Sequence, residues 1–210
     1  MKLIIFGATG HVGQHLVAQA LEQGHQVNAF TRSPEKLTQT HRNLRLFQGD
    51  VLNETQVTAA ITGNDAVLVA LGMPLGNKEQ LRAKGTQIIV KAMQQSGVKR
   101  LICLSGMGAN DSHAMLPALY KYLLVPLLMR HLYRDHELQE NIVTASGLDW
   151  TLARPAAFDA KGDHTGEYWH GFDPRDRKLK IKISTADVAD FMLRQVDNDT
   201  YLHKAPCLSY

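Results

Sequence analysis

Three closely spaced glycines near the start of the chain are the first residues whose type and spacing suggest chemistry. They stand in Gly7-Ala8-Thr9-Gly10-His11-Val12-Gly13, between a short apolar run at 2–6 and a stretch where Val12, Leu16, Val17, Ala20 and Leu21 recur at helical spacing. A glycine-rich turn from strand to helix lets backbone approach a pyrophosphate, and the helix N-terminus offers it N–H groups and a positive dipole end. The first glycine permits the tight bend, the second admits the phosphates, and the third lets helix and strand pack closely. A glycine triplet also occurs in ordinary strand–helix turns. Here the strand, the helix and a second strand fall where a βαβ unit requires them, which favours a dinucleotide site. Gly7, Thr9, Gly10, His11, Val12 and Gly13 are the expected cofactor contacts of this turn.

The end of the next apolar run, 26–30, bears on which dinucleotide is bound. Sites for NAD place an Asp or Glu there to accept from the ribose 2′-hydroxyl. This chain has Thr31-Arg32-Ser33 and no acid. A guanidinium at that point complements a 2′-phosphate, and Lys36 adds charge, so NADP(H) is expected over NAD(H). The plainer alternative is that Arg32 is a solvated surface residue. Gly49-Asp50-Val51 follows the third run, 44–47, and is expected beside the adenine, with Asp50 accepting from its amine and Val51 packing on the ring.

These residues need a scaffold, and the pattern supplies one. Apolar runs at 2–6, 26–30, 44–47, 66–71, 100–104 and 149–153 alternate with helical patterns, one from about 54 to Gly63, one over 80–95 closed by Gly97, and one over much of 133–145. Such alternation predicts an α/β fold of the Rossmann type: a doubly wound, mostly parallel sheet with helices on both faces. After Pro155, residues 156–176 read as loop, 178–183 as a half-exposed strand, and 185–196 as a helix capped by Ser184. A single domain over 1–210 is expected, with a nucleotide-binding core (1–155) and a small substrate-side extension (156–210).

Composition narrows the partners. The chain is 44% hydrophobic and 20% charged, ordinary for a globular protein, and its net charge of +3 is too weak to suggest nucleic acid. His136-Glu137-Leu138-Gln139-Glu140 lacks the second His of a zinc-binding helix, so no metal is expected. Cys103 and Cys207 are far apart, and no leader pattern precedes the first strand, which suggests a reduced, cytoplasmic protein. The most apolar stretch, 116–129, is interrupted by Lys121 and two prolines and is too short to span a membrane. It could close over a substrate or, through 116–132, join a homodimer; plain packing is slightly favoured.

Phe6-Gly7-Ala8-Thr9-Gly10, Arg32, Gly49-Asp50-Val51, Leu71-Gly72, Cys103-Leu104-Ser105, Ser146-Gly147-Leu148, Arg154-Pro155 and 187–193 together carry a family likeness. On them the chain resembles, nearly end to end, the atypical short-chain dehydrogenase/reductases of the NAD(P)-binding, NmrA-like branch. Within it the chain is most similar to the small NADPH-dependent flavin reductases of the biliverdin reductase B group. The resemblance implies that Leu71, Gly72, Cys103 and Pro155 lie along the cofactor, with Ser105 and the segment after Pro155 bordering the nicotinamide. It also implies that His136 faces the electron acceptor, against a plain surface histidine on an amphipathic helix.

The chain departs from ordinary short-chain dehydrogenases in one respect. Those enzymes use a Tyr-x-x-x-Lys pair to move a proton. Here none of the six tyrosines has a Lys four residues on. Alcohol oxidation and epimerisation are therefore disfavoured, whereas a flavin, quinone or tetrapyrrole can take its proton from water. Ala157 also stands where the biliverdin reductase B group carries a His. The expected function is NADPH-dependent hydride transfer to a small conjugated acceptor, with Ser105 and His136 as candidate catalytic residues. The alternative is a non-catalytic redox sensor of the NmrA kind.

Overall fold

Alternation along single strands shows how the sheet is buried. In β1 (Lys2–Phe6), Leu3 and Ile5 join one apolar cluster while Ile4 and Phe6 join another. The computed structural model describes residues 1–73, 79–116, 118–159, 162–172 and 179–210. Further strands are β2 (Gln26–Thr31), β3 (Leu44–Gln48), β4 (Ala66–Val69), β5 (Arg100–Leu104), β6 (Asp149–Pro155), β7 (Ala157–Asp159), β8 (Trp169–His170), β9 (Lys182–Ser184) and β10 (Cys207–Ser209). Eight of them form a sheet in the order β3-β2-β1-β4-β5-β6-β10-β8, and β7 pairs with β9 apart from it. All neighbours in the large sheet run parallel except β8, antiparallel to β10 at the edge. The crossing from β3 past β1 to β4 leaves the carboxyl ends of β1 and β4 at a switch in strand order, where such sheets bind ligands.

Helices cover both faces. Helix α1 (His11–Glu22) and α5 (Thr185–Arg194) share the cluster of Leu3, Ile5, Leu16, Val188 and Met192. On the other face α2 (Glu54–Ile61), α3 (Leu81–Ser96) and α4 (Arg130–Thr144) bury Ile61, Ile89, Met93 and Val143 against Ile4 and Phe6. Local signals set their ends. The Asn53 side chain accepts from Gln56 N at 3.1 Å, Ser184 Oγ accepts from Asp187 N at 3.0 Å, and α3 stops at Gly97 in the left-handed region (φ 76°).

Three expectations change after β5. Residues 156–176, expected as loop, contribute β7 and β8; a two- or three-residue strand is too short to leave a periodic pattern. The strand expected over 178–183 shrinks to β9, because Ile181 has φ 51° and Lys180 N instead donates to Tyr210 O at 2.8 Å; Lys178 lies outside the described residues. The stretch at 116–129, slightly favoured as packing, is largely uncovered. Its part Tyr120–Met129 winds as a wide π-type helix around Pro126, with Val125 buried while Tyr122, Leu127 and Leu128 face outward. No helix among the described residues is long and apolar enough to cross a membrane.

Candidate cofactor and acceptor site

The three glycines of the first turn do different things. Gly7 sits at φ 79°, and a Cβ there would run into the Ala70 carbonyl oxygen, so β1 and the end of β4 approach too closely for a side chain. A Cβ at Gly13 would collide with the Gly7 carbonyl and lie 2.9 Å from Ala8 Cα, which is how α1 packs down on the turn. Gly10 is different: its backbone is ordinary and extended (φ −76°, ψ 169°), and a Cβ would meet Gly7 O at 3.3 Å and Ala70 O at 3.8 Å, with no clash as close as those at Gly7 and Gly13. Its small size is of use on the open side. Gly10 is also the N-cap of α1, with no side-chain cap and no acid in the first turn. Backbone N–H groups at an uncapped helix start, behind a residue without a side chain, fit a pyrophosphate.

From this turn a cleft of about 240 Å³ runs over the ends of β1 and β2. Thr9, Thr31, Arg32, Ser33, Lys36 and Val51 line it with the glycines, and no carboxylate lines it among the described residues. Thr31 Oγ1 lies 3.1 Å from Thr9 Oγ1 and accepts from Ser33 N at 3.1 Å, which fixes the bend that carries Arg32 outward. Lys36 ends a single 3₁₀ turn, Pro34–Lys36, on the same rim. Asp50 is not brought into the cleft. Its Oδ1 accepts from Leu52 N at 2.9 Å and closes its own turn.

Gly10, Leu71 and Gly72 are shared with a second, larger cavity of about 610 Å³ over the ends of β4, β5 and β6. Its walls are mostly apolar: Val12, Leu104, Met107, Leu116, Pro155, Ala156, Ala157 and Phe158, with His11, Tyr120 and Tyr133. Ser105, His136 and Arg82 supply further polar groups, and no lysine lines it among the described residues. Cys103, expected along the cofactor, is wholly buried below this floor and lines neither space. In β5 its side chain points to the α3–α4 face, where Gln139 Nε2 lies 3.2 Å from its Sγ, and burial raises the thiol pKa.

Ser105 is held from beneath. Its hydroxyl donates to Glu140 Oε1 at 2.7 Å, and the same carboxylate accepts from Arg154 Nε (2.8 Å), Arg154 Nη2 (2.7 Å) and Asn110 Nδ2 (2.7 Å). Arg154 also reaches Asp111 at 2.8 Å. Burial of its guanidinium works against the charge, but the bonds to Glu140 and Asp111 outweigh it and raise the Arg154 pKa. The support role of Glu140 and Arg154 is absent from the sequence reading. The available signal was a charged residue on the inward face of a helix, four positions beyond His136.

His136 lines the cavity one turn earlier on α4, half-buried, with a sealed Nδ1 that has no hydrogen-bond partner among the described residues. Burial pushes its pKa down to about 3, the nearby Arg82 charge pushes the same way, and the neighbouring Gln139 side chain opposes them. The imidazole is therefore neutral near pH 7. Arg82 is anchored by Nε to Leu71 O (3.1 Å) and lies 3.5 Å from Asp135 Oδ2. Asp135 is fully buried and also accepts from Arg82 N and Ala83 N at the start of α3. Tyr133 donates to Met107 O at 3.3 Å, and burial, then Tyr120, raise its pKa.

A family model described as NAD(P)H-binding matches residues 7–199. The chain belongs to that family. As an NAD(P)H-binding protein it is 27% identical over 207 residues to the uncharacterized protein YwnB of Bacillus subtilis, covering 94% of this chain and 93% of that one. Three further curated relatives are longer and are matched over 34%, 58% and 49% of their own length. A short-chain dehydrogenase/reductase of Veillonella parvula, solved in complex with NADP, superimposes with a TM-score of 0.81 at 16% identity, over 100% of this chain and 94% of that one. A Streptococcus pneumoniae protein described as a candidate NADH-flavin reductase gives a TM-score of 0.76 at 20% identity, over 100% and 99% of the two chains. At such identities these two solved structures establish the shared fold.

Proposed function

We propose that the protein is an NADPH-dependent reductase that delivers hydride to a flat conjugated acceptor, such as a flavin or quinone. The observation that carries this reading is the continuity of the two spaces. A cationic cleft suited to the nucleotide opens at Gly10, Leu71 and Gly72 into a large apolar cavity that suits a ring system. Bound NADPH would supply the hydride from its nicotinamide. The protein's own groups would act by position: Val12, Leu104 and Pro155 exclude water, and the walls hold the acceptor against the cofactor. Ser105 donates its hydroxyl hydrogen bond to Glu140, so toward the cavity its oxygen is an acceptor, suited to the carboxamide N–H of a nicotinamide.

Among the described residues the cavity has no tyrosine–lysine pair to transfer a proton. Tyr133 has a raised pKa, burial lowers that of His136, and no lysine lines the cavity among the described residues, which favours acceptors that are protonated by water. Preference for NADP(H) over NAD(H) rests on Arg32 and Lys36 in a cleft that no carboxylate lines among the described residues. The likeness to a candidate NADH-flavin reductase supports the acceptor class. The test is NADPH oxidation by the purified protein with FMN, a short-chain quinone and biliverdin, with a secondary alcohol plus NADP as control. Turnover with FMN or the quinone, and none with the alcohol, is expected. Tight NADPH binding without turnover on any acceptor would replace this reading with that of a redox sensor.

A further inference from the structure

We propose that the outer face of residues 119–134 docks on an anionic lipid surface, and that the acceptor cavity opens toward that surface. Leu119, Tyr122, Leu127 and Leu128 are 60%, 71%, 68% and 75% exposed, and Tyr120 and Leu123 add to the same short segment. Single exposed leucines are normal, but a contiguous group marks a surface made to be covered.

Charge identifies the cover. From 112 to 134 the chain has Lys121, Arg130 and Arg134 and not one Asp or Glu. The acids at either end are engaged: Asp111 pairs with Arg154, and Asp135 is buried against Arg82 and the start of α3. A two-fold contact between copies sets one patch against itself, so these cations would meet their own kind with no carboxylate of the segment to relieve them. An anionic bilayer complements both parts of the face. Leucines enter the acyl boundary, tyrosines lie at headgroup level, and Lys and Arg meet the lipid phosphates.

The inner side of the same segment is a cavity wall, through Tyr120, Met129, Leu132 and Tyr133. Tyr120 and Phe158 line the cavity and are also exposed, at 37% and 48%, so they mark its mouth beside the docking face. A molecule dissolved in the lipid would reach the cavity without crossing water. This route rests on the reductase reading, whereas the docking does not.

The full chain is mixed with vesicles of phosphatidylcholine, with and without one third phosphatidylglycerol, and sedimented at low and high salt. Binding to the anionic vesicles at least about tenfold tighter than to the neutral ones, and weakened by salt, is expected. Leu127→Glu with Leu128→Glu, and separately Lys121→Glu with Arg130→Glu, should abolish it while NADPH affinity is unchanged. No binding to anionic vesicles, or binding that both variants retain, overturns the proposal. So does a dimer in light scattering that Leu127→Glu/Leu128→Glu splits, with no vesicle binding. For the route, the leucine variant should lose reduction of a long-tailed quinone in anionic vesicles and keep that of a short-chain quinone in water; equal rates on both overturn it. Vesicle binding without turnover on any acceptor upholds the docking and overturns only the reductase reading.

Discussion

Ser105 donates its hydroxyl to Glu140, 35 residues along the chain, and this one bond decides what the serine can do in the cavity. The carboxylate is held in turn by Arg154 and Asn110, so the hydroxyl proton has a fixed destination. Toward the cavity only the oxygen's lone pairs are available, so the serine can accept there but not donate. Ser105→Ala should therefore act on affinity and leave the fold alone, because Glu140 keeps three other hydrogen bonds. The expected result is an NADPH dissociation constant raised about two- to tenfold, the size of one ordinary hydrogen bond, with the melting temperature nearly unchanged. An unaltered affinity would remove Ser105 from the cofactor site.

The glycine-rich turn offers a contrast within seven residues. A side chain at Gly7 or Gly13 meets backbone of the same turn or of the residue after β4, so Gly7→Ala and Gly13→Ala should cost stability whether or not cofactor is present. At Gly10 the backbone is extended and the nearest obstacle is 3.3 Å away. Gly10→Val is expected to remain folded, with far-ultraviolet circular dichroism like wild type, and to lose NADPH binding. Normal binding by this variant, read from nucleotide fluorescence, would place the pyrophosphate elsewhere.

Much of this was legible in the sequence, and the reasons are specific. The glycine spacing and the apolar runs report local sterics and two-sided burial, so the turn, the order of strands and helices, and the Ser184 cap could be read directly. Arg32 and Lys36 on the rim followed from their distance beyond β2. Glu140 and Arg154 could not be read that way, because a buried ion pair looks like two surface charges until β6 and α4 are brought together. Cys103 went astray for a related reason. The motif suggested the cofactor, yet alternation along β5 turns Leu104 toward the cavity and Cys103 to the α3–α4 face. Residues 119–128 look like core because they are apolar, and periodicity contains nothing about whether a partner element exists to cover them.

His136 should leave a mark on stability against pH. In the unfolded chain it titrates near its ordinary 6.5, whereas in the folded protein burial pushes its pKa down to about 3. Between these values the unfolded state binds a proton that the folded state does not, so stability contributed at neutral pH is lost as pH falls through that window. His136→Leu removes this term. The fall in urea-unfolding free energy from pH 7.5 to 5.0 should thus be smaller in the variant than in wild type. His15, His25 and His170, also lowered, are present in both and cancel in the comparison. Identical falls would mean that His136 is not sealed from protons.

On the proposed reading, Arg32 bears the nucleotide preference. It stands on the rim of the cleft, just past β2, exposed, and among the described residues Lys36 is the other lining cation and no acid lines the cleft to accept from a ribose hydroxyl. A 2′-phosphate there would replace solvent around the guanidinium with a charge-assisted pair, which NAD cannot offer. Arg32→Ala is expected to weaken NADPH binding by about 1–3 kcal/mol and to change NADH binding little. Lys36→Ala should do the same more weakly, since a mobile ammonium makes a less directional contact than a planar fork. Because both cations are solvent-exposed, the wild-type preference should also shrink with added salt. Calorimetric titrations of both nucleotides into wild type and the two variants, at two salt concentrations, separate these effects. Equal losses for NADPH and NADH in Arg32→Ala, or a wild-type preference for NADH, would show that the second strand's end does not read the phosphate.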